Sequence, residues 1–98
     1  MKRKKIPPGS KIKVLLTQRE RDLIQENTLY DPNFARLAPL EGKKIRVDMS
    51  LDDIEDLQGF IAAEANHTND KKIQQKLDAL FVKLQVFLDT YDDEGEEE

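Results

Sequence analysis

The sequence predicts an α+β domain: a two-stranded, antiparallel β-ribbon packed on about four helices and dominated by a C-terminal helical hairpin. Three observations lead there. Apolar residues recur at steps of four, three, four, three and four from Ile73 through Leu77, Leu80, Leu84 and Phe87 to Tyr91, the spacing of a helix that buries one face. Two short segments, Lys11 to Leu16 and Lys44 to Met49, alternate apolar with polar, as half-buried strands do. Each of these strands runs directly into a helix-capping residue, Thr17 in one case and Ser50 in the other.

The long helix from Asp70 to Tyr91 would span about 33 Å, enough for the spine of a small domain. Phe81 and Leu88 widen its apolar stripe. Its partner starts at Ser50, followed by Asp52, Asp53, Glu55 and Asp56 where the positive end of the helix dipole favours anions. Ile54, Leu57, Ile61 and Ala65 form the apolar line of that helix. Gly59, Ala62 and Ala63 run beside it, and they are expected to seat the Leu and Phe side chains of the spine, because close packing would offset the cost of a glycine inside a helix. The turn His67-Thr68-Asn69-Asp70 joins the pair.

Earlier in the chain, residues 1–10 form a basic leader in which Pro7-Pro8-Gly9 bars a helix, and this leader is expected to be flexible. Ile12, Val14 and Leu16 then face one way and Lys11 and Lys13 the other. Thr17-Gln18-Arg19-Glu20 is a capping box that opens a short helix carrying Leu23 and Ile24. Asp31-Pro32 marks a further helix start, from which Phe34 and Leu37 would face the core before Pro39 stops it. After Gly42, the second strand turns Ile45, Val47 and Met49 inward and Lys44, Arg46 and Asp48 outward. An offset of 33 lays Lys11-Ile12-Lys13-Val14 on Lys44-Ile45-Arg46-Val47 and Thr17 on Ser50. A duplication of this kind would pair the strands about a local two-fold, hence antiparallel. Residues 11–91 are read as the single α+β domain, and residues 92–98 as a disordered acidic tail.

The net charge of −4 conceals a division: residues 1–50 carry twelve Lys and Arg against six Asp and Glu, and residues 51–98 carry four against fourteen. Such a split points to attraction between the halves or to a charged partner. The absence of cysteine excludes disulfides and thiolate metal sites and suits a reducing cytoplasm. No window approaches a membrane span of about 18 apolar residues, so a soluble cytoplasmic protein with no membrane association is expected.

No motif points to catalysis, and no catalytic residue or cofactor is assigned. His67 is the only histidine, with Glu64 three residues before it on one helix face, a spacing used in di-iron proteins together with several further carboxylates. Those companions are missing, so His67 is read as a helix C-terminal residue that suits the dipole, and no metal is expected. Lys71 and Lys72 open the spine helix and Asp89, Asp92 and Asp93 close it, the reverse of what the dipole favours. Either Glu64 across the turn or an acidic partner would answer the lysines. Lys11, Lys13, Lys44 and Arg46 all point outward from the ribbon and are the candidate partner-binding residues. Nucleic acid is one candidate for that face, but Phe34, Phe60, Phe81, Phe87 and Tyr91 fit the core better than a base-stacking surface. Open strand edges, or exposed residues of the spine, would admit a homodimer.

The runs Ser50-Leu51-Asp52-Asp53, Ile61-Ala62-Ala63-Glu64-Ala65-Asn66-His67-Thr68, Lys71-Lys72 and Leu77-Asp78-Ala79-Leu80-Phe81 resemble a group of small bacterial proteins of unknown function, sometimes encoded beside plasmid-type open reading frames. The resemblance spans roughly residues 15–94 and implies a bacterial, intracellular protein; it supplies no activity and no site residues. The reading that results is a non-catalytic protein-interaction or adaptor module, with a nucleic-acid-binding module using the basic ribbon face as the alternative.

Overall fold

A computed structural model describes residues 4–31, 33–36 and 38–93. Its centre is a pair of strands, β2 (Ile12–Leu16) and β4 (Lys44–Met49), joined antiparallel. The register sets Val14 opposite Val47, Ile12 opposite Met49 and Leu16 opposite Ile45. Since the offset of 33 also carries Val14 onto Val47, each valine faces its own counterpart. A local two-fold therefore passes between them, as the repeated strand-cap-helix pattern requires. Strand alternation sends Val14, Leu16, Ile45, Val47 and Met49 to one side, where all five are buried.

A third strand, β3 (Leu40–Glu41), extends this sheet in the order β2-β4-β3. It reaches β4 through the two-residue loop Gly42-Lys43, pairing Glu41 with Lys44 and Leu40 with Ile45. Gly42 has φ +66° while Lys43 stays at negative φ, the requirement of a type II′ hairpin turn and the reason for glycine there. The sheet thus has three strands where the sequence reading expects two, because a two-residue strand is too short to show alternation.

Lys4–Ile6 (β1), inside the segment read from the sequence as a leader, pairs in parallel with Tyr91–Asp93 (β5), whose last two residues begin the acidic tail. Extended backbone is what a residue before proline favours, and Ile6 precedes Pro7. The chain then reverses through Pro8-Gly9, with Gly9 at φ +79° and the Ser10 N–H donating to the Pro7 carbonyl at 3.1 Å, a type II turn.

Both expected caps form as complete capping boxes. Thr17 opens α1 (Gln18–Asn27), exchanging bonds of 2.8 and 3.1 Å with Glu20; Ser50 opens α2 (Leu51–His67), exchanging bonds of 3.1 Å with Asp53. In α3 (Lys71–Thr90) the cap is Asp70, whose Oδ1 accepts from the Lys72 and Ile73 N–H groups. The described residues hold these three helices and not the fourth expected after Asp31. There the chain makes separate turns, with Phe34 donating to Asp31, Arg36 to Asn33 and Ala38 to Ala35. All three are i to i+3 bonds. The segment is too short to offset the cost of nucleating an α-helix, and Asp31 Oδ1 engages the Asn33 N–H instead, at 2.9 Å. Pro32 and Leu37, the latter expected in the core, lie outside the described residues.

One core results, formed by the inner face of the sheet, Leu23 and Ile24 of α1, Ile54, Leu57, Ile61 and Ala65 of α2, and Leu77, Leu80 and Leu84 of α3. Ile73, Phe81, Phe87 and Leu88 pack around it half-buried. The helical hairpin holds a single buried polar side chain among the described residues, Gln58, whose Nε2 donates to the Phe81 carbonyl at 3.1 Å and to Gln85 Oε1 at 2.9 Å.

Two of the three small residues of α2 do not serve as expected, and Ala62 is half-buried. Gly59 and Ala63 are exposed, and a Cβ at Gly59 would meet nothing within 4 Å. The 100° step per residue carries both away from the line of Ile54, Leu57 and Ile61, so the helices meet through larger side chains. With no packing reason for glycine, Gly59→Ala is expected to stabilise the fold by about 0.5–1 kcal/mol through helix propensity and reduced unfolded-state freedom. Thermal and urea melts would measure it; a destabilised variant would mean that α2 packs more tightly there than the structure indicates.

Candidate partner-binding surface

The outer face of the sheet collects Lys13 and Leu15 of β2, Glu41 of β3, and Lys44, Arg46 and Asp48 of β4. Three of the four candidate residues meet here around one carboxylate. Lys13 Nζ lies 3.0 Å from Glu41 Oε2, Arg46 Nη1 lies 3.9 Å from Glu41 Oε1, and Lys44 faces Glu41 in the strand register. Lys13 also faces Asp48 across the ladder, and Arg46 Nε is 3.6 Å from Asp48 Oδ1. The face therefore carries three cations and two acids, interleaved. Cross-strand pairs of this kind offset the repulsion that adjacent cations would otherwise suffer, although each exposed pair contributes only about 0–1 kcal/mol.

Lys11, the fourth candidate, stands apart. Its Nζ lies 3.2 Å from Asp53 Oδ2 at the start of α2. The Asp53 carboxyl is held below the usual Asp value, mainly by the hydrogen bond from the Ser50 backbone N–H; partial burial acts in the opposite direction, and Lys11 and the Ser50 side chain reinforce the lowering. Lys11 is thus joined to the α2 capping box.

Arg46 has a second environment. Past the two residues of β3, the edge of β4 is met by residues 33–36 and 38–39, and a cleft of about 350 Å³ opens between them. Asn33, Phe34, Arg36, Pro39, Arg46 and Asp48 are among its walls. The Arg46 backbone N–H donates to the Pro39 carbonyl at 2.9 Å and fixes the loop against the strand. Backbone groups two residues apart point the same way in a strand, so those of Asp48 are directed to this rim. The Arg46 Nε is buried and has no hydrogen-bond acceptor, since the 3.6 Å separation from Asp48 satisfies an ion pair and not a hydrogen bond.

Phe34 links this cleft to a small aromatic group that the sequence reading did not single out. Tyr30 stands edge-on to Phe34 and to Phe60, each at a centroid distance of 5.6 Å, in the arrangement that ring quadrupoles favour. Burial, and after it the carboxylates of Asp53, Asp56 and Asp31, pushes the Tyr30 phenol up. Phe60, expected in the core, is 40% exposed and packs against this group at the surface. The nearness of Tyr30 to Phe60 depends on α2 folding back beside Tyr30 and Phe34, which no local pattern encodes.

A second cleft, of about 470 Å³, runs between α1 and α3, with Arg19, Glu20, Leu23, Glu26, Ile73 and Lys76 among its walls. Its lining carries charges of both signs, and Glu20 Oε1 is already engaged by Lys83 Nζ at 2.7 Å and by the Thr17 N–H. His67 is exposed in the last turn of α2. Among the described residues no group of three or more His, Asp or Glu side chains could hold a metal ion, and no helix is long and apolar enough to cross a membrane. Comparison with protein-family models, with curated proteins and with solved structures returns no match to this chain.

Proposed function

We propose that this chain is a non-catalytic protein-interaction module and that it takes an extended, acidic segment of a protein partner along the rim of β4, with Arg46 as the anchor. One observation carries the reading: Arg46, whose buried Nε has no acceptor, is among the walls of an open cleft. A buried donor left unsatisfied costs about 1–3 kcal/mol, and a carboxylate supplied by a partner would remove that cost with a charge-assisted bond. Arg36 in the opposite wall and the outward backbone groups of β4 suit the same occupant, because strand addition recognises backbone while pockets recognise side chains. Lys13 and Lys44, grouped with Arg46 around Glu41, would act at the rim of the interface and Lys11 outside it.

The matched charges count against a nucleic-acid interface. Binding along a phosphate backbone depends on accumulated cations that release counterions, and here Glu41 and Asp48 sit among them. The test is selection from a library of extended peptides, with duplex DNA and single-stranded RNA as parallel probes. Expected are enriched peptides sharing an acidic residue, with Arg46→Ala weakening them by about tenfold, or 1.4 kcal/mol, and Lys44→Ala weakening them far less. Nucleic-acid binding with a steep salt dependence and no peptide enrichment would replace this reading with the nucleic-acid one.

A further inference from the structure

The face of α3 turned away from the core carries Gln75, Ala79, Val82 and Val86 at steps of four, three and four. All four are exposed, Val82 by 63% and Val86 by 58%. This spacing keeps them in one line along the helix, the a/d spacing of a coiled-coil seam, with the β-branched residues in its C-terminal half. The helix therefore has two apolar stripes: one buried against α2 and the sheet, the other facing outward.

The charges beside the outward stripe indicate what covers it. Lys71 lies at the N-terminal end of α3 and Asp89 at its C-terminal end, both on the same flank of the stripe, about 20° to one side of Val82 on a wheel of 100° per residue. Each is of the wrong sign for the dipole of its own helix. Side by side and parallel, two such helices would bring opposite flanks of the stripe together, so that Lys71 and Asp89, on one flank, would meet neither each other nor their own counterparts. Antiparallel, same-flank positions meet, so that Lys71 of each copy faces Asp89 of the other. The seam then sets Ala79 against Val82 and Gln75 against Val86 on both sides of a two-fold axis, within one residue of the register of the end pairs. The helix dipoles also oppose, and each misplaced charge acquires the helix terminus of the neighbour that suits it.

We infer that the chain self-associates as an antiparallel dimer through the outward face of α3, centred between Ala79 and Val82, with Lys71 and Asp89 as reciprocal end pairs. The contact is isologous and closes on itself, so it ends at two copies. It involves surface other than the Arg46 cleft and does not depend on the partner reading.

Sedimentation equilibrium of the full chain over a wide concentration range tests this. The expected result is a monomer–dimer equilibrium from the 11.3 kDa chain that Val82→Glu abolishes while the far-UV circular dichroism remains as in the parent and the melt loses its dependence on protein concentration. Lys71→Glu and Asp89→Lys, each alone, are expected to weaken dimerisation by roughly fivefold by creating two like-charge pairs, and the doubly exchanged chain to recover it. Because the chain has no cysteine, mixing the Ala79→Cys and Val82→Cys variants should give an oxidised cross-linked heterodimer in preference to either homodimer. A monomer at every concentration, a dimer indifferent to Val82→Glu, or single charge exchanges without effect would each overturn the inference.

Discussion

Replacing Leu84 by alanine is expected to cost about 2–5 kcal/mol of folding free energy, the range for deleting a fully buried leucine from a rigid core. Leu84 has no exposed surface, and it sits on the inner stripe of α3 between Leu80 and Leu88. The lost methyl groups cannot be replaced from either side, because α2 and the sheet are held by their own packing and ladder. Domains of this size have only about 5–15 kcal/mol to lose, so the midpoint of a urea melt should fall steeply with an unchanged slope. A loss below about 1 kcal/mol would mean that α3 slides to refill the space, and hence that the hairpin is not the rigid part of the molecule.

Gln58→Ala comes second in expected effect, at about 1–3 kcal/mol. Its amide nitrogen bridges α2 to the Phe81 carbonyl and to Gln85 Oε1, and truncation leaves Gln85 Oε1 without that donor while the Gln85 amide nitrogen keeps its bond to Asp89. Part of this effect must be coupling between the two glutamines. A double-mutant cycle with Gln85→Ala should return an interaction of about 0.5–1.5 kcal/mol. Gln58→Leu, which restores volume but not the bonds, should lie between the alanine variant and the parent. A cycle that sums to zero would show that the bridge adds orientation to the hairpin and no stability.

Both variants act on the part of the molecule most readable from sequence. The alternation of Ile12, Val14 and Leu16 and of Ile45, Val47 and Met49, the caps at Thr17 and Ser50, and the stripe through Leu77, Leu80 and Leu84 all survive in the structure, because each pattern is written within one element and serves one burial requirement. What escaped depended on partners distant in sequence. Glu41 looked like loop until β3 placed it among Lys13, Lys44 and Arg46. Gly59 and Ala63 looked like a packing seat because small residues beside an apolar line can lie on either side of its boundary. Of the candidate surface, the outward direction of its cations was legible, since alternation sets it. Their neutralisation was not, and neither was the cleft at Arg46, which needs residues 33–36 to fold as turns beside a strand edge.

The parallel pairing of Lys4–Ile6 with Tyr91–Asp93 joins segments roughly ninety residues apart. Loop-closure entropy rises with the length of chain enclosed, and three parallel residues on each side return little against it. The helical hairpin and the β2–β4 ladder can both assemble while this clasp is open, so it is set to latch last on folding and to release first. Substitutions within it would then change the rate of opening and leave the rate of folding nearly untouched. Amide exchange should divide the molecule accordingly, with Ile6 opening locally and Val47 only when the whole chain unfolds.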